Sequence, residues 1–252
     1  MTPDHINAPS DEPATGDGTG LTIGGVCAAV GAVAFAVLRT LHGDTPGVDA
    51  PASLAFVTAR PWYAGVHIGA VFAALLGVAG LIALAGSLRA PAGRMLGTWG
   101  VASALVGLAI FGVESTSEGL ALPELAHATA TAAPEQRAEL VRAAHAVLAA
   151  THGPSLVAVS ILFGVVLIVF GAAMLCDDYP GWLGWAGVGI GAVTLAAATG
   201  QYLDPDLMPG FLIYGVLASV VAQLWLFALA VVLLRRARSA RRMPVASSPE
   251  PS

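Results

Sequence analysis

The sequence predicts an all-α protein, a polytopic transmembrane bundle of six helices with an amphipathic helix in the third, outer loop. Three observations carry that expectation. Hydrophobic residues fill 56% of the 252 positions and charged residues only 11%, which is more apolar surface than a soluble domain of this size can bury. Apolar runs of about twenty residues, the length that crosses roughly 30 Å of hydrocarbon, occur six times. Glycine and alanine recur inside the runs, and in lipid such residues let helix backbones approach closely.

The elements follow in order. Residues 1–20 are acidic, rich in Pro and Gly and without the basic start of a secretory signal, so they read as a disordered cytoplasmic tail. The transmembrane domain covers 21–235, with spans at 21–41, 62–88, 95–120, 154–176, 182–203 and 211–234. A basic and then disordered tail follows at 236–252. In the third loop, 134–151 has Pro134 at a first helical position and Glu135 and Glu139 in the early turns, where they favour the helix dipole. Leu140, Ala144, Val147 and Leu148 give this segment an apolar side, while Arg142, His145, Ala149 and His152 fall along another. It is expected to pack at the membrane interface, or to act as a lid, and to enter the fourth span through Gly153 and Pro154.

All eleven basic residues are arginine, so arginine carries the topology signal. Arg235, Arg236, Arg238, Arg241 and Arg242 follow the last span, and Arg89 and Arg94 bracket the link between the second and third. An even number of spans then puts both termini on the cytoplasmic side. Arg39, Arg60, Arg137 and Arg142 lie on or near the outer face; Arg39 is expected to pair with an outer carboxylate. The formal charge of −5 says little by itself. The basic run at the end of the sixth span sits where it anchors topology and meets anionic lipid, so no nucleic-acid partner is expected. Cys27 and Cys176 form no CxxC and read as small core residues.

Spans two and three can be laid over spans four and five. His67 precedes Leu96-Gly97-Thr98-Trp99-Gly100, and His152 precedes Leu183-Gly184-Trp185-Ala186-Gly187. Glu114 follows Gly97 at the spacing with which Gln201 follows Gly184. Such a pattern implies a parallel repeat about an axis along the membrane normal, although Leu-Gly pairs also recur by chance in a chain this rich in both. A true repeat would bring His67 toward His152 and Glu114 toward Gln201.

The ionisable residues near the outer ends of the spans are the candidate site, because charge in hydrocarbon is costly unless it is paired. Glu114, Ser117 and Glu118 share a face of the third span at i, i+3 and i+4. Glu114 lies about one turn below the outer boundary, where an ionised carboxylate needs a cation, a metal or donors, and an unpaired one holds a proton. Pairing with Arg39 or snorkelling to the interface is its structural alternative. His67, with Tyr63 one turn earlier, and His152, with Ser155 one turn deeper, could join Glu114 as two imidazoles and a carboxylate, a known ligand set for a divalent metal. No HExxH spacing supports this locally. A haem between His67 and His152 is a further possibility. His42, His127 and His145 could supplement the site, although loop histidines are mostly solvated. Gln201 and Asp204 complete the outer polar band as ligand-binding candidates beside Arg39, Tyr63 and Glu118. Gln223 stands alone at hydrocarbon depth and must find a partner on another helix or a ligand.

The last three spans, DDYPGWLGWAGVGIGAVTLAAATGQYLD and FLIYGVLASVVAQLWLFALAVVLLRR, resemble the C-terminal half of a bacterial family of six-span membrane proteins of unknown function. A proline and a Leu-Gly pair open the fifth span there. The resemblance implies a fold outline and a bacterial inner membrane, and carries over no catalytic residue.

The functional expectation is a polytopic membrane protein with an outward-facing His/Glu/Gln site between spans two to five that binds a metal or small ligand. One alternative is a membrane enzyme acting on a lipid or isoprenoid substrate, in which Glu114 is the general acid or base and His67 or His152 its partner. The other is a structural or partner-binding protein whose polar band packs helices. Membrane lipid is the partner common to all three.

Overall fold

The computed structural model describes residues 18–47, 49–204 and 210–242. The expected tails at 1–17 and 243–252, and Pro205 and Asp206, lie outside the described residues. Every regular element among the described residues is helical: α1 (Gly18–His42), α2 (Ala50–Thr58), α3 (Tyr63–Ser87), α4 (Pro91–Thr131), α5 (Pro134–Val159), a π-helical segment Ser160–Val165, α6 (Val166–Leu175), α7 (Gly181–Leu203), a second π-helical segment Phe211–Val221, and α8 (Ala222–Arg242). Six helices are long and apolar enough to cross a membrane, with α5 to α6 counting as one and the second π segment with α8 as another. Trp99, Trp182 and Trp185 are exposed near the starts of α4 and α7, at the end of the bundle where Arg89 and Arg94 lie, and Trp62 is exposed at the opposite end, at the start of α3. Amphipathic rings at those two levels suit the polar–apolar boundaries of a bilayer, and the apolar helices suit contact with lipid.

Small residues set the packing. α1 lies along α3 and α8. A Cβ on Gly31 would meet the Ala73 carbonyl at 2.7 Å, and one on Gly80 would meet the Ala28 Cβ at 2.5 Å. The same logic gives the two Leu-Gly pairs equivalent jobs. A Cβ on Gly97 would strike Leu88 and one on Gly184 would strike Leu175, each at 2.8 Å, so each pair seats its helix against the end of the preceding span. Leu84, Phe170, Met174, Leu183 and Leu233, all fully buried, fill the centre of that half of the bundle.

At the arginine-bearing end, Asp177 reaches from the α6–α7 link to the start of α4. Its carboxylate accepts from the backbone N–H of Arg89 at 2.6 Å and of Ala90 at 2.8 Å, which supplies the cap that Ala90 cannot make for itself. Burial by itself would raise the Asp177 carboxyl; the N–H groups of Ala90, Asp178 and Arg89, with Arg236 nearby, outweigh it and hold the carboxyl below its ordinary value. Arg236 lies 3.7 Å over the Tyr179 ring. Burial pushes the Tyr179 phenol above its ordinary range.

Two expectations about the helices change in detail. The segment expected to enter the fourth span through Gly153 and Pro154 has no break at that junction, because α5 runs through both residues into the π segment and α6. α4 is as long, 41 residues, or about 60 Å at 1.5 Å per residue, so α4 and α5 project together beyond the hydrocarbon thickness as an antiparallel hairpin. α2, capped by the Asp49 carboxylate accepting from the Ala52 N–H, packs against this hairpin. Leu54, Val57, Leu122, Ala126, Ala144 and Leu148 form a small core there that also holds Tyr63. The projecting layer thus positions a residue of the site below it.

Candidate functional site

Four elements bring polar groups to the inner end of that layer. α1 ends at His42 because Gly43 adopts φ +71°, the left-handed conformation that closes a helix and that glycine enters without strain. The turn aims the Gly43 carbonyl back at the helix end. His42 Nδ1 lies 2.7 Å from that oxygen, so Nδ1 carries the proton and Nε2 keeps its lone pair. Arg39 also donates to the Gly43 carbonyl. Its 3.3 Å approach to His42 Nδ1 is not a further hydrogen bond, since both nitrogens carry protons there. The Arg39 charge is answered by Asp44 at 2.7 Å, an outer carboxylate as expected, rather than by Glu114.

On α3, His67 repeats the pattern. Its Nδ1 lies 3.0 Å from the Tyr63 carbonyl, which again leaves Nε2 as an acceptor. The Tyr63 hydroxyl donates to Glu118 Oε1 at 2.7 Å. The His67 ring stands 4.7 Å from the His42 ring and 4.5 Å from that of Tyr63. α4 can approach this closely because Gly119 lies beside His67. A Cβ there would fall 2.5 Å from the His67 Cβ.

His42, His67 and Glu118 therefore each present a ligand atom, all within 4.8 Å of one another, and together they could hold a metal ion. An ion centred in a triangle of that side would sit about 2.8 Å from each corner, so closing to a bond near 2.1 Å requires each side chain to move about 0.7 Å. The groups behind the ligands are of the right kind. Each imidazole gives its other N–H to a backbone carbonyl and the carboxylate accepts from a phenol, which orients ligands toward a metal.

The cluster opens on a cavity of about 200 Å³. Glu114, buried, lies in its wall one turn deeper on α4, accepts from Ser115 at 3.1 Å and lies against Glu118 and Ser155. His152 and Ser155 line it from α5, and Tyr214, Ala218 and Ser219 from the second π segment. The Tyr214 hydroxyl is buried beside Ser155. Phe35, Phe111 and Phe163 close the deep end.

Of the residues singled out in the sequence, Arg39, His67, Glu114, Glu118 and His152 line this one cavity, and Tyr63 lies behind the cluster. The metal-spaced group is not the expected His67, His152 and Glu114. His42 takes the place of His152, which is exposed on the far wall, and Glu118 takes the place of Glu114. Gln201 is buried outside the cavity with its Oε1 unpaired, and Asp204 is exposed at the end of α7. The walls come from spans one, two, three, four and six rather than from two to five. Ser117 faces away, and Ser115 is the serine at Glu114. Gln223 finds its partner on its own helix, donating to the Ala218 carbonyl at 3.0 Å, because a π-helical turn leaves a carbonyl within reach five residues back. The sequence offers His42 only as a supplement to the site, because it falls one residue past the apolar run. The signal that would have found it is the helix-ending glycine directly after it, which makes it the last helical residue and turns it inward.

No family model, curated protein or solved structure matches the chain. The likeness of its last three spans to a six-span bacterial family rests on the quoted segments alone.

Proposed function

We propose that this is a six-span protein of the bacterial inner membrane, N-in and C-in, whose outward-facing site binds a divalent transition metal through His42, His67 and Glu118. The observation that carries the reading is the pair of imidazoles whose Nδ1 atoms are both committed to backbone carbonyls, with one ring nitrogen of each and a Glu118 oxygen within 4.8 Å of one another. Three protein ligands leave coordination positions free, as in catalytic rather than structural sites. A metal so held would act as a Lewis acid toward a molecule in the cavity, with Glu114 placed to give or take a proton. An ion suits the site better than a haem, because His42 and Tyr63 flank the His67 ring and leave no slot beside it for a macrocycle.

Elemental analysis of the purified protein, followed by zinc and iron(II) titration of chelator-treated samples, tests this. Near one equivalent of metal is expected for the wild type, with affinity reduced by tenfold or more in His42→Ala, His67→Ala and Glu118→Gln and unchanged in His152→Ala. Substoichiometric metal, or a dependence on His152 instead of His42, would refute the assignment. A second reading, a helix-packing role for the polar band, is favoured by the Tyr63–Glu118 hydrogen bond. It requires the same three variants to lose thermal stability with no metal bound to the wild type.

A further inference from the structure

We infer that the cavity takes an amphiphile, a single-chain molecule whose oxygen head reaches the His42–His67–Glu118 group and whose hydrocarbon tail runs down between the spans. The inference rests on the metal reading of that group and adds the class of molecule that meets it.

The cavity is segregated by chemistry along its depth. Arg39, His42, His67, Glu118 and Glu114 occupy one end. Phe35 lies seven residues before His42 on α1, hence about 10 Å deeper, and there it meets Phe111 and Phe163 with ring centroids 5.9 and 5.6 Å apart. Water needs two to four polar partners, and the Ser219 hydroxyl at that end is already committed to the Tyr214 carbonyl. The whole cavity, polar end included, measures about 200 Å³, which is room for a ligand larger than the benzene that an apolar cavity of roughly 150 Å³ admits. Hydrocarbon satisfies the aromatic end, and a small polar ligand would leave it empty.

A second chamber continues the line. It measures about 50 Å³ and shares Phe35 and Phe163 with the first, so these two rings form the partition between them. Its walls include Ala73, Gly77, Leu81 and Trp225. Ala73 is six residues beyond His67 on α3, or about 9 Å deeper, and Leu81 about 21 Å deeper. The polar side chain in those walls, Gln223, is already bonded to the Ala218 carbonyl and makes no demand on a ligand. At the upper end the Tyr214 hydroxyl, buried beside Ser155 on the cavity wall, is placed to donate to a head-group oxygen. The head is thus recognised by metal and phenol, and the tail by aromatic rings.

The test is a chain-length series. Alkyl hydroxamic acids from acetohydroxamic acid to the ten-carbon homologue, which all carry the same metal-binding head, are titrated into the zinc-loaded full-length protein. Affinities are referred to the free aqueous ligand measured by dialysis, so that partition into detergent does not count. Each added methylene is expected to tighten binding about fourfold until the tail meets the aromatic partition. Ala218→Leu, which fills the deep end, should leave acetohydroxamic acid unaffected and stop the gain at a shorter chain. A flat series with acetohydroxamic acid still bound would overturn the amphiphile and leave the metal site standing. Absence of zinc from the wild type would overturn both. The wild-type series decides by itself if Ala218→Leu does not fold.

Discussion

Gly119→Ala removes no proposed ligand, yet it should dismantle the site. The new methyl carbon would lie 2.5 Å from the His67 Cβ and 2.7 Å from its Cγ, against an ordinary carbon–carbon separation of about 3.5–4.0 Å. His67 must therefore retreat by about 1 Å, or α3 and α4 must part by as much. Neither escape is free. His67 Nδ1 is tied to the Tyr63 carbonyl, and the backbone on both sides is helical. Overpacking of this kind costs about 1–3 kcal/mol. The same displacement exceeds the tolerance of about 0.2 Å on a metal–ligand distance, so zinc affinity should fall by about 10- to 100-fold, the range seen when ligand orientation is lost. Gly112→Ala is the control on the same helix. A Cβ there meets only the Val71 methyl at 3.9 Å, so stability should hold or rise by up to about 1 kcal/mol from the better helix former. Thermal unfolding and competitive zinc titration on both variants read the outcome. A folded Gly119→Ala protein with wild-type zinc affinity would show that close α3–α4 packing does not set the position of His67, and the derivation of the cluster would fail.

Three further expectations concern other parts of the molecule. Asp177→Ala should cost about 1 kcal/mol at neutral pH, the usual worth of a helix cap. Because the folded state depresses the carboxyl, its stabilisation is present above the unfolded value near pH 4 and is lost as pH falls through the lower folded value. The wild-type and variant melting curves should therefore converge in acid, and a constant gap down to about pH 2 would contradict the capping role. Gly43→Ala and Gly47→Ala both place a side chain at positive φ and should each lose about 1–2 kcal/mol. Only Gly43→Ala should also weaken metal binding, because the Gly43 carbonyl holds His42; equal zinc affinities in the two would break that link. Trp225→Phe removes a buried donor at 2.9 Å from the Leu183 carbonyl and should destabilise by about 1–3 kcal/mol with zinc affinity unchanged, as judged by the same two assays.

The helices were legible from the chain alone wherever a long apolar run had nothing to compete with it. The spans at 21–41, 62–88 and 182–203 differ by a few residues from α1, α3 and α7. Where polar residues continue a helix past the hydrocarbon, the apolar run stops before the helix does. α4 runs eleven residues beyond its expected end at 120, since backbone hydrogen bonds hold as well in water-facing turns, and α1 gains His42 in the same way. The π-helical segments left no trace in the periodicity, because they change the register by one residue per turn while every residue in them is apolar or small.

Composition and arginine placement determined what kind of object this is: a chain that must bury its backbone bonds in helices and offer apolar side chains to lipid, with Glu114, Glu118, His67 and His152 toward the end of the bundle opposite most of its arginines. Those properties depend on local chemistry and length, which sequence states directly. Which of those groups meet was decided by the tertiary structure, because rotating a helix by one residue swings a side chain by about 100° and no residue's identity records that angle. His42 and His67 face Glu118 because Gly43 turns the end of α1 inward and Gly119 admits α3 against α4. Gln201 lies outside the cavity because the fifth span packs on the other side of the bundle, against α6.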